Sequence, residues 1–175
     1  NELRRRFPTQ SPYTKMREMV EHALADPLES STVLGRQIQI PVCYDPAMAP
    51  DLPALAARSG LTAPDIIQLH TAPEYRVFML GFLPGFPYMG TVDERIAAPR
   101  LAQPRQRVPA GSVGIAGVQT GIYPLESPGG WNLIGRTPLL MFDGQHTAPT
   151  LLQPGDRVRF YAVSLERFHQ IQSGA

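Results

Sequence analysis

The 175 residues carry 16 Lys and Arg against 15 Asp and Glu, a formal net charge of +1. So even a balance offers no broad basic face to nucleic acid and no strong field to an acidic partner, and nucleic-acid binding is not expected. Hydrophobic residues make up 43% and charged residues 18%, the composition of a folded chain, and a domain of this size buries roughly 70% of its unfolded surface.

The one cysteine, Cys43, excludes an internal disulfide and suits a reducing cytoplasm. No apolar run approaches the roughly 18 residues that span a bilayer, and the start has no secretory pattern. The chain opens on Asn1-Glu2-Leu3 instead of Met, so further sequence is expected to precede it in the gene product. The short Arg4-Arg5-Arg6 run reads as a solvated terminus. The 19 Pro and 15 Gly fall between apolar stretches and read as turns and corners of a β architecture.

In chain order, the spacing of Tyr13, Met16, Val20, Ala23 and Leu24 predicts a helix over 13–25, with Ser11 as its cap, Pro12 in its first turn and Pro27 beyond it. Thr32 to Leu34 reads as a short strand. Gln37 to Cys43 alternates, with Ile38, Ile40 and Val42 on one face, and Pro41 argues for a sheet edge. Two short helices follow. The first, Leu52 to Ser59, has Asp51 as cap and Gly60 as a left-handed end. The second, Thr62 to His70, opens on a Thr62/Asp65 capping box. Strands are expected at Tyr75–Leu80, Ser112–Val118, Leu139–Phe142 and Arg157–Val163, the last with Val158, Phe160 and Ala162 inward. Short strands separated by Gly/Pro turns indicate a sandwich or barrel that the helices plug or flank.

Several chemistries find no support. There is no phosphate loop and no dinucleotide fingerprint. Gly111, Gly114, Gly117 and Gly121 suit strands closely approached by another backbone. Ser112 follows Gly111 and Ala110, so no nucleophile elbow is implied. His22, His70, His146 and His169 lack ligand spacing, and no metal site is expected. Cys43 reads as a small buried hydrophobe.

What remains is a set of stiff loops. Gly81-Phe82-Leu83-Pro84-Gly85-Phe86-Pro87-Tyr88 sets aromatic rings on a backbone that proline fixes and glycine bends. Such a loop builds a preformed pocket or a protein-binding patch, or else a rigid corner whose rings fill the core. Arg107 offers a fork of donors for a carboxylate or phosphate, and a structural salt bridge is the competing reading. Gln119-Thr120-Gly121-Ile122-Tyr123-Pro124 brings together an amide, a hydroxyl and a phenol. The segment 126–137 adds the only tryptophan, Trp131, and Arg136. Gly129 and Gly130 beside Trp131 raise the prospect of a close approach by another group. This is part of a site, completed by another chain.

These segments, together with Arg107-Val-Pro-Ala-Gly-Ser-Val-Gly-Ile-Ala-Gly117 and Ser127-Pro-Gly-Gly-Trp-Asn-Leu-Ile-Gly-Arg-Thr-Pro138, resemble the PxpB/KipI family. That family is also labelled allophanate hydrolase subunit 1 or the C/D part of the carboxyltransferase domain. The likeness runs from about Arg36 to Val163. It implies a mainly β fold, a cyclophilin-like β-barrel over 35–163 with two short helices. Before it, 1–34 stands as the remnant of a small α+β domain, and 164–175 follows as a tail. Val118 stands where members usually have Gly, which is expected to narrow the approach of the neighbouring backbone. The likeness to cyclophilin concerns fold, not isomerase activity.

The function implied is that of the B-subunit of an ATP-dependent 5-oxoprolinase, inactive alone. It would convert 5-oxo-L-proline to L-glutamate with a C-subunit (allophanate hydrolase subunit 2-like) and an A-subunit. The alternatives are a KipI-like inhibitor of a sensor histidine kinase and a component of a urea carboxylase. On the first reading, Arg107 and Arg136 meet anionic groups, and Gln119 and Thr120 orient an amide or carboxylate. Phe82, Pro84, Gly85, Phe86, Tyr88, Pro109, Gly111, Tyr123 and Trp131 form the substrate-binding walls. ATP serves the complex, held by an unassigned component, with no metal and no membrane.

Overall fold

The computed structural model describes residues 11–25 and 35–174. The expected strand at Thr32–Leu34 and the Arg4–Arg6 run lie outside them. Contacts divide the chain into Asn1–Val33 and Leu34–Ala175. In the first unit, α1 (Pro12–Ala25) begins at the expected proline, and Ser11 Oγ accepts the Thr14 N–H at 3.1 Å, satisfying one of the free donors of its first turn.

The second unit is built on a closed barrel of seven strands. These are β1 (Gln37–Cys43), β2 (Tyr75–Leu80), β3 (Pro87–Gly90), β5 (Ser112–Ala116), β6 (Gln119–Ile122), β8 (Asn132–Arg136) and β9 (Arg157–Val163), joined in the order β1-β8-β5-β6-β3-β2-β9. β4 (Arg105–Val108) and β7 (Ser127–Gly129) form a separate two-stranded ribbon. The helices are α2 (Leu52–Ser59), α3 (Ala63–Thr71) and α4 (Leu165–Ser173).

Only β1 and β9 run parallel, paired from Gln37↔Arg157 to Cys43↔Val163. On its other side β1 meets β8 at the single pair Cys43↔Arg136. The edge expected from Pro41 is therefore a seam in a closed barrel, where a residue without an N–H costs no ladder bond.

The helices differ at their starts. Thr62 caps α3 with the full reciprocal box to Asp65, whereas Asp51 makes no cap bond to α2. The Asp51 carboxylate reaches across the chain instead, accepting the Leu133 N–H and an Arg105 N–H, both at 2.6 Å. Gly60, at φ 68°, ends α2 as expected.

One expectation is corrected and two are given their structure. Residues 139–142 form no strand, only an isolated bridge at Phe142↔Thr150. The expected tail is largely the helix α4, capped by Ser164 Oγ on the Arg167 N–H. Val118, expected to narrow a backbone approach, stands in the β5–β6 turn and is 47% exposed.

The barrel strands have two buried faces. Inward, Ile40, Val77, Met89, Ile115, Ile134 and Phe160 pack together, and Leu55 and Ile66 of the helices join them. His70 closes this core. Its Nδ1 pairs with the Tyr44 hydroxyl at 2.8 Å, its Nε2 with Thr120 Oγ1 at 2.9 Å, and its ring stacks on Phe160 at 4.6 Å. Burial lowers its pKa to about 3, so it stays neutral.

Candidate substrate cavity

Along a strand, successive side chains point to opposite faces. The residues beside the core positions therefore form a second cluster outside the barrel. Met89, Ile115, Ile122 and Ile134 point in, while Tyr88, Ala116, Tyr123 and Leu133 point out to pack with Phe86 and Trp131. Phe86 is the centre of this outer face. Its ring meets Tyr88 at 4.9 Å, Tyr123 at 5.1 Å and Trp131 at 5.3 Å between centroids, mostly edge to face, an arrangement favoured by the ring quadrupoles.

The glycines make this packing possible. A Cβ on Gly121 would lie 2.9 Å from both the Phe86 ring and the Pro87 carbonyl, and one on Gly114 would lie 3.0 Å from Trp131 Cβ. What approaches these strands is thus aromatic side chain as well as backbone. Gly129 similarly leaves the space filled by the Tyr123 phenol, which answers the close approach expected at that position.

The β4–β7 ribbon and the β2–β3 loop stand around this aromatic face and leave a half-open cavity of about 380 Å³. Its lining includes Phe82, Leu83 and Tyr88 of the β2–β3 hairpin, Pro104, Gly129 and Gly130 of the ribbon region, Tyr123 and Trp131, with Arg100 as the cation. Phe82 is 63% exposed and holds φ 67°, a left-handed backbone that is costly for a bulky residue and is met where a loop is held for function. Tyr123 is a neutral phenol. Burial raises its pKa, opposed by a hydrogen bond from the Trp131 backbone N–H and by the charges of Arg100 and Arg105.

Of the substrate-binding residues expected from sequence, Phe82, Tyr88, Tyr123 and Trp131 line the cavity. Phe86, 1% exposed, lies behind them as support. Pro84, Gly85, Pro109 and Gly111 are not part of the lining; Gly85 packs on Phe142, and Gly111, at φ 81°, packs against the Thr137 carbonyl.

None of Arg107, Gln119, Thr120 and Arg136 lines the cavity. Arg107 gives two N–H bonds to Glu126 Oε1, at 3.0 and 2.7 Å, tying β4 at the surface to the residue that precedes β7. Thr120 is fully buried inside the barrel, because it shares the inward parity of Ile122 and bonds His70. Gln119 opens β6 opposite Gly90 and Ala116. Arg136 ends β8 and donates from Nε to the Ala110 carbonyl at 2.8 Å.

Sequence reasoning missed Arg100, Pro104 and the Asp51–Arg105 link. Arg100 stands outside every motif, and only the fold brings 100–105 against 127–131: Leu101 N–H donates to the Gly130 carbonyl at 2.7 Å, and Arg105 pairs with Gly129. Among the described residues no group of His, Cys, Asp and Glu is placed to hold a metal ion, and no helix is long and apolar enough to cross a membrane.

Residues 3–152 match the family model of the carboxyltransferase domain, subdomain C and D. The chain is 49% identical over 159 residues to the 5-oxoprolinase B-subunit of Bacillus subtilis (strain 168), covering 91% of this chain and 66% of that protein. It is 55% identical over 126 residues to the 5-oxoprolinase B-subunit of Escherichia coli O157:H7, covering 72% of this chain and 58% of that protein. It therefore spans less than two thirds of the length of either relative. A conserved uncharacterized protein from Pyrococcus horikoshii superposes with a TM-score of 0.74 at 46% identity, over 92% of this chain and 74% of that one. The K. lactis urea amidolyase, at 25% identity, superposes with a TM-score of 0.66 over 79% of this chain and 10% of that one.

Proposed function

The chain belongs to the carboxyltransferase-domain family of subdomains C and D, and from that premise we propose that it is the barrel part of the B-subunit of an ATP-dependent 5-oxoprolinase. The observation that carries this reading is the character of the cavity: aromatic walls and one cation, with no His, Cys, Asp or Glu in its lining. Such a surface binds and orients a small ring but supplies no nucleophile–base pair, as expected of one component of a shared site. The two 5-oxoprolinase B-subunit relatives, at 49% and 55% identity, support it.

The overall reaction opens a lactam. The ring C–N bond breaks, the nitrogen takes up a proton, and the carbonyl carbon gains a water oxygen to become the second carboxylate of L-glutamate. ATP with a further water becomes ADP and phosphate. On this reading Tyr88, Tyr123 and Trp131 hold the ring, and Phe82 covers the mouth of the cavity. Arg107, Gln119, Thr120 and Arg136 act by keeping the ribbon and barrel in place around it. The A- and C-subunits supply the remaining groups, and the nucleotide belongs to the complex. The complex works in the cytoplasm, in keeping with the single free, buried thiol of Cys43.

The test is co-expression with a candidate A-subunit and a candidate C-subunit, with assay of 5-oxoproline-dependent release of phosphate and glutamate. Activity from the three together and from no pair is the expected result. A complete mixture without activity contradicts the proposal.

A further inference from the structure

We propose that the cavity recognises a carboxylate carried on a small ring, and that Arg105, at the start of the ribbon strand β4, forms the anion end of the site together with Arg100 and the Tyr123 hydroxyl. This rests on the reading of the cavity as a 5-oxoproline site and names the group by which that site selects its ligand.

The first observation is an unmet donor. Nη1 of Arg105 is buried and has no hydrogen-bond partner, the one such side-chain atom among the described residues. Buried donors are almost always paired, and a charged one left alone is costly, so its partner is to be sought in something that binds. The second observation is how the rest of that guanidinium is held. Nη2 donates to Asp51 Oδ1 at 2.6 Å, while Asp51 Oδ2 accepts the Leu133 N–H. Asp51, fixed at the head of α2, thus aims the fork of Arg105 and occupies only one arm of it. This explains why Asp51 does not cap its own helix.

The third observation is charge. Arg100 lines the cavity and makes no salt bridge among the described residues. Arg105 lies in β4 beside Pro104 and directly opposite Gly129, both in the cavity wall. The charges of both guanidinium groups bear on the same Tyr123 phenol. Two cations are balanced by a single carboxylate, that of Asp51, which leaves one positive charge for a ligand. Arg105 is not itself in the lining but adjoins it through Pro104 and Gly129, and the space beside Arg100 is walled by Trp131, Tyr88 and Phe82. A monoanion on a flat or puckered ring matches this set: its ring lies on the aromatic faces while its carboxylate takes the guanidinium donors. A phosphate dianion would exceed the one positive charge that Asp51 leaves unbalanced.

The protein provides its own probe, since Trp131 is the only tryptophan and lines the cavity. The full chain is titrated with 5-oxo-L-proline, with 2-pyrrolidinone (the same ring without the carboxylate), with ATP and with inorganic phosphate, reading Trp131 fluorescence. A saturable change with 5-oxo-L-proline, and none at equal concentration of 2-pyrrolidinone or phosphate, is expected.

Arg105→Lys keeps the charge beside Asp51 and removes the second arm of the fork, and Arg100→Gln removes the exposed cation. Each is expected to weaken binding by about tenfold or more, the range of a charge-assisted hydrogen bond, without moving the emission maximum of the free protein. Arg159→Gln, an exposed guanidinium on β9, is expected to leave binding unchanged. Equal binding of both rings, a response to ATP or phosphate alone, no saturable change, or unaltered binding in both arginine variants overturns the proposal. Hydrolysis by the three-component mixture is scored separately. An active mixture with no carboxylate selection in this cavity defeats the inference and leaves the function standing. Carboxylate selection with an inactive mixture does the reverse.

Discussion

The two faces of one set of strands make different uses of the same rules. Inside the barrel every polar group is answered: His70 is held between Tyr44 and Thr120, Thr120 also donates to the Gly114 carbonyl at 3.2 Å, and Tyr75 donates to the His70 carbonyl at 2.9 Å. Outside, Tyr88, Tyr123 and Trp131 pack around Phe86 but line an open cavity, and in the ribbon beside it, opposite Gly129, Arg105 keeps a buried guanidinium nitrogen without a partner among the described residues. A closed polar network gives a core its unique packing. An open aromatic face with unspent charge is a place for a ligand. The alternation of a β-strand keeps these roles within one residue of each other without mixing them.

Breaking the inner face should cost most. Phe160→Ala removes the ring stacked on His70 and leaves a cavity in the core, and is expected to destabilise the barrel by about 3–5 kcal/mol in urea unfolding. A variant losing less than about 1 kcal/mol would show that the inner packing adjusts freely.

The inner face also sets a pH dependence. His70 is neutral in the fold, with its pKa lowered by burial to about 3 against an ordinary 6.5. Above pH 6.5 neither state binds the proton and the stabilisation is complete. As the pH falls below 6.5 only the unfolded chain takes up the proton, so stability declines by up to about 1.4 kcal/mol per pH unit toward pH 4. Asp65, held low by Thr62, Asp93, held low by Arg95, and Asp156, held low by Arg36 against its own burial, add their losses only at more acid pH. Urea midpoints between pH 7 and 4 should therefore fall in the native protein and flatten in His70→Gln. Equal slopes would contradict the buried neutral histidine.

On the outer face, Gly129→Ala drives a methyl group into the Tyr123 phenol. A loss of about 1–3 kcal/mol is expected from overpacking, together with loss of any ligand response at Trp131. Retained binding would show that the ribbon can move away.

The smallest effect belongs to Arg107→Ala. This exposed pair with Glu126 is expected to change stability by less than about 1 kcal/mol and to leave the KM for 5-oxoproline in the reconstituted enzyme within about twofold. A large rise in KM would return Arg107 to the substrate.

Much of the fold could be read in advance where a local signal is strong. The Thr62/Asp65 box, Gly60 and the alternation of 37–43 each declared their element. Residues 119–122 and 132–136 did not, because Gly121 and Gly135 interrupt the apolar alternation where rings and backbone pass close by. The aromatic half of the cavity was partly legible: of the rings set between Gly and Pro, Phe82 and Tyr88 line it, while Phe86 fills the space behind. Its charged half was not. Arg100 and Arg105 gain their meaning from Asp51 and from residues 127–131, contacts far apart in sequence. Arg107 and Thr120 stand in more distinctive motifs, yet one tethers the ribbon and the other faces the core.

The most direct test of the outer face as the binding face is a two-dimensional NMR titration of the full chain with 5-oxo-L-proline. The account predicts shifts at the Trp131 indole N–H and at the Gly129 and Gly130 amides, with Ile115, Thr120 and Ile134 unmoved. Shifts concentrated on those barrel-lining residues, or none at either face, would contradict it.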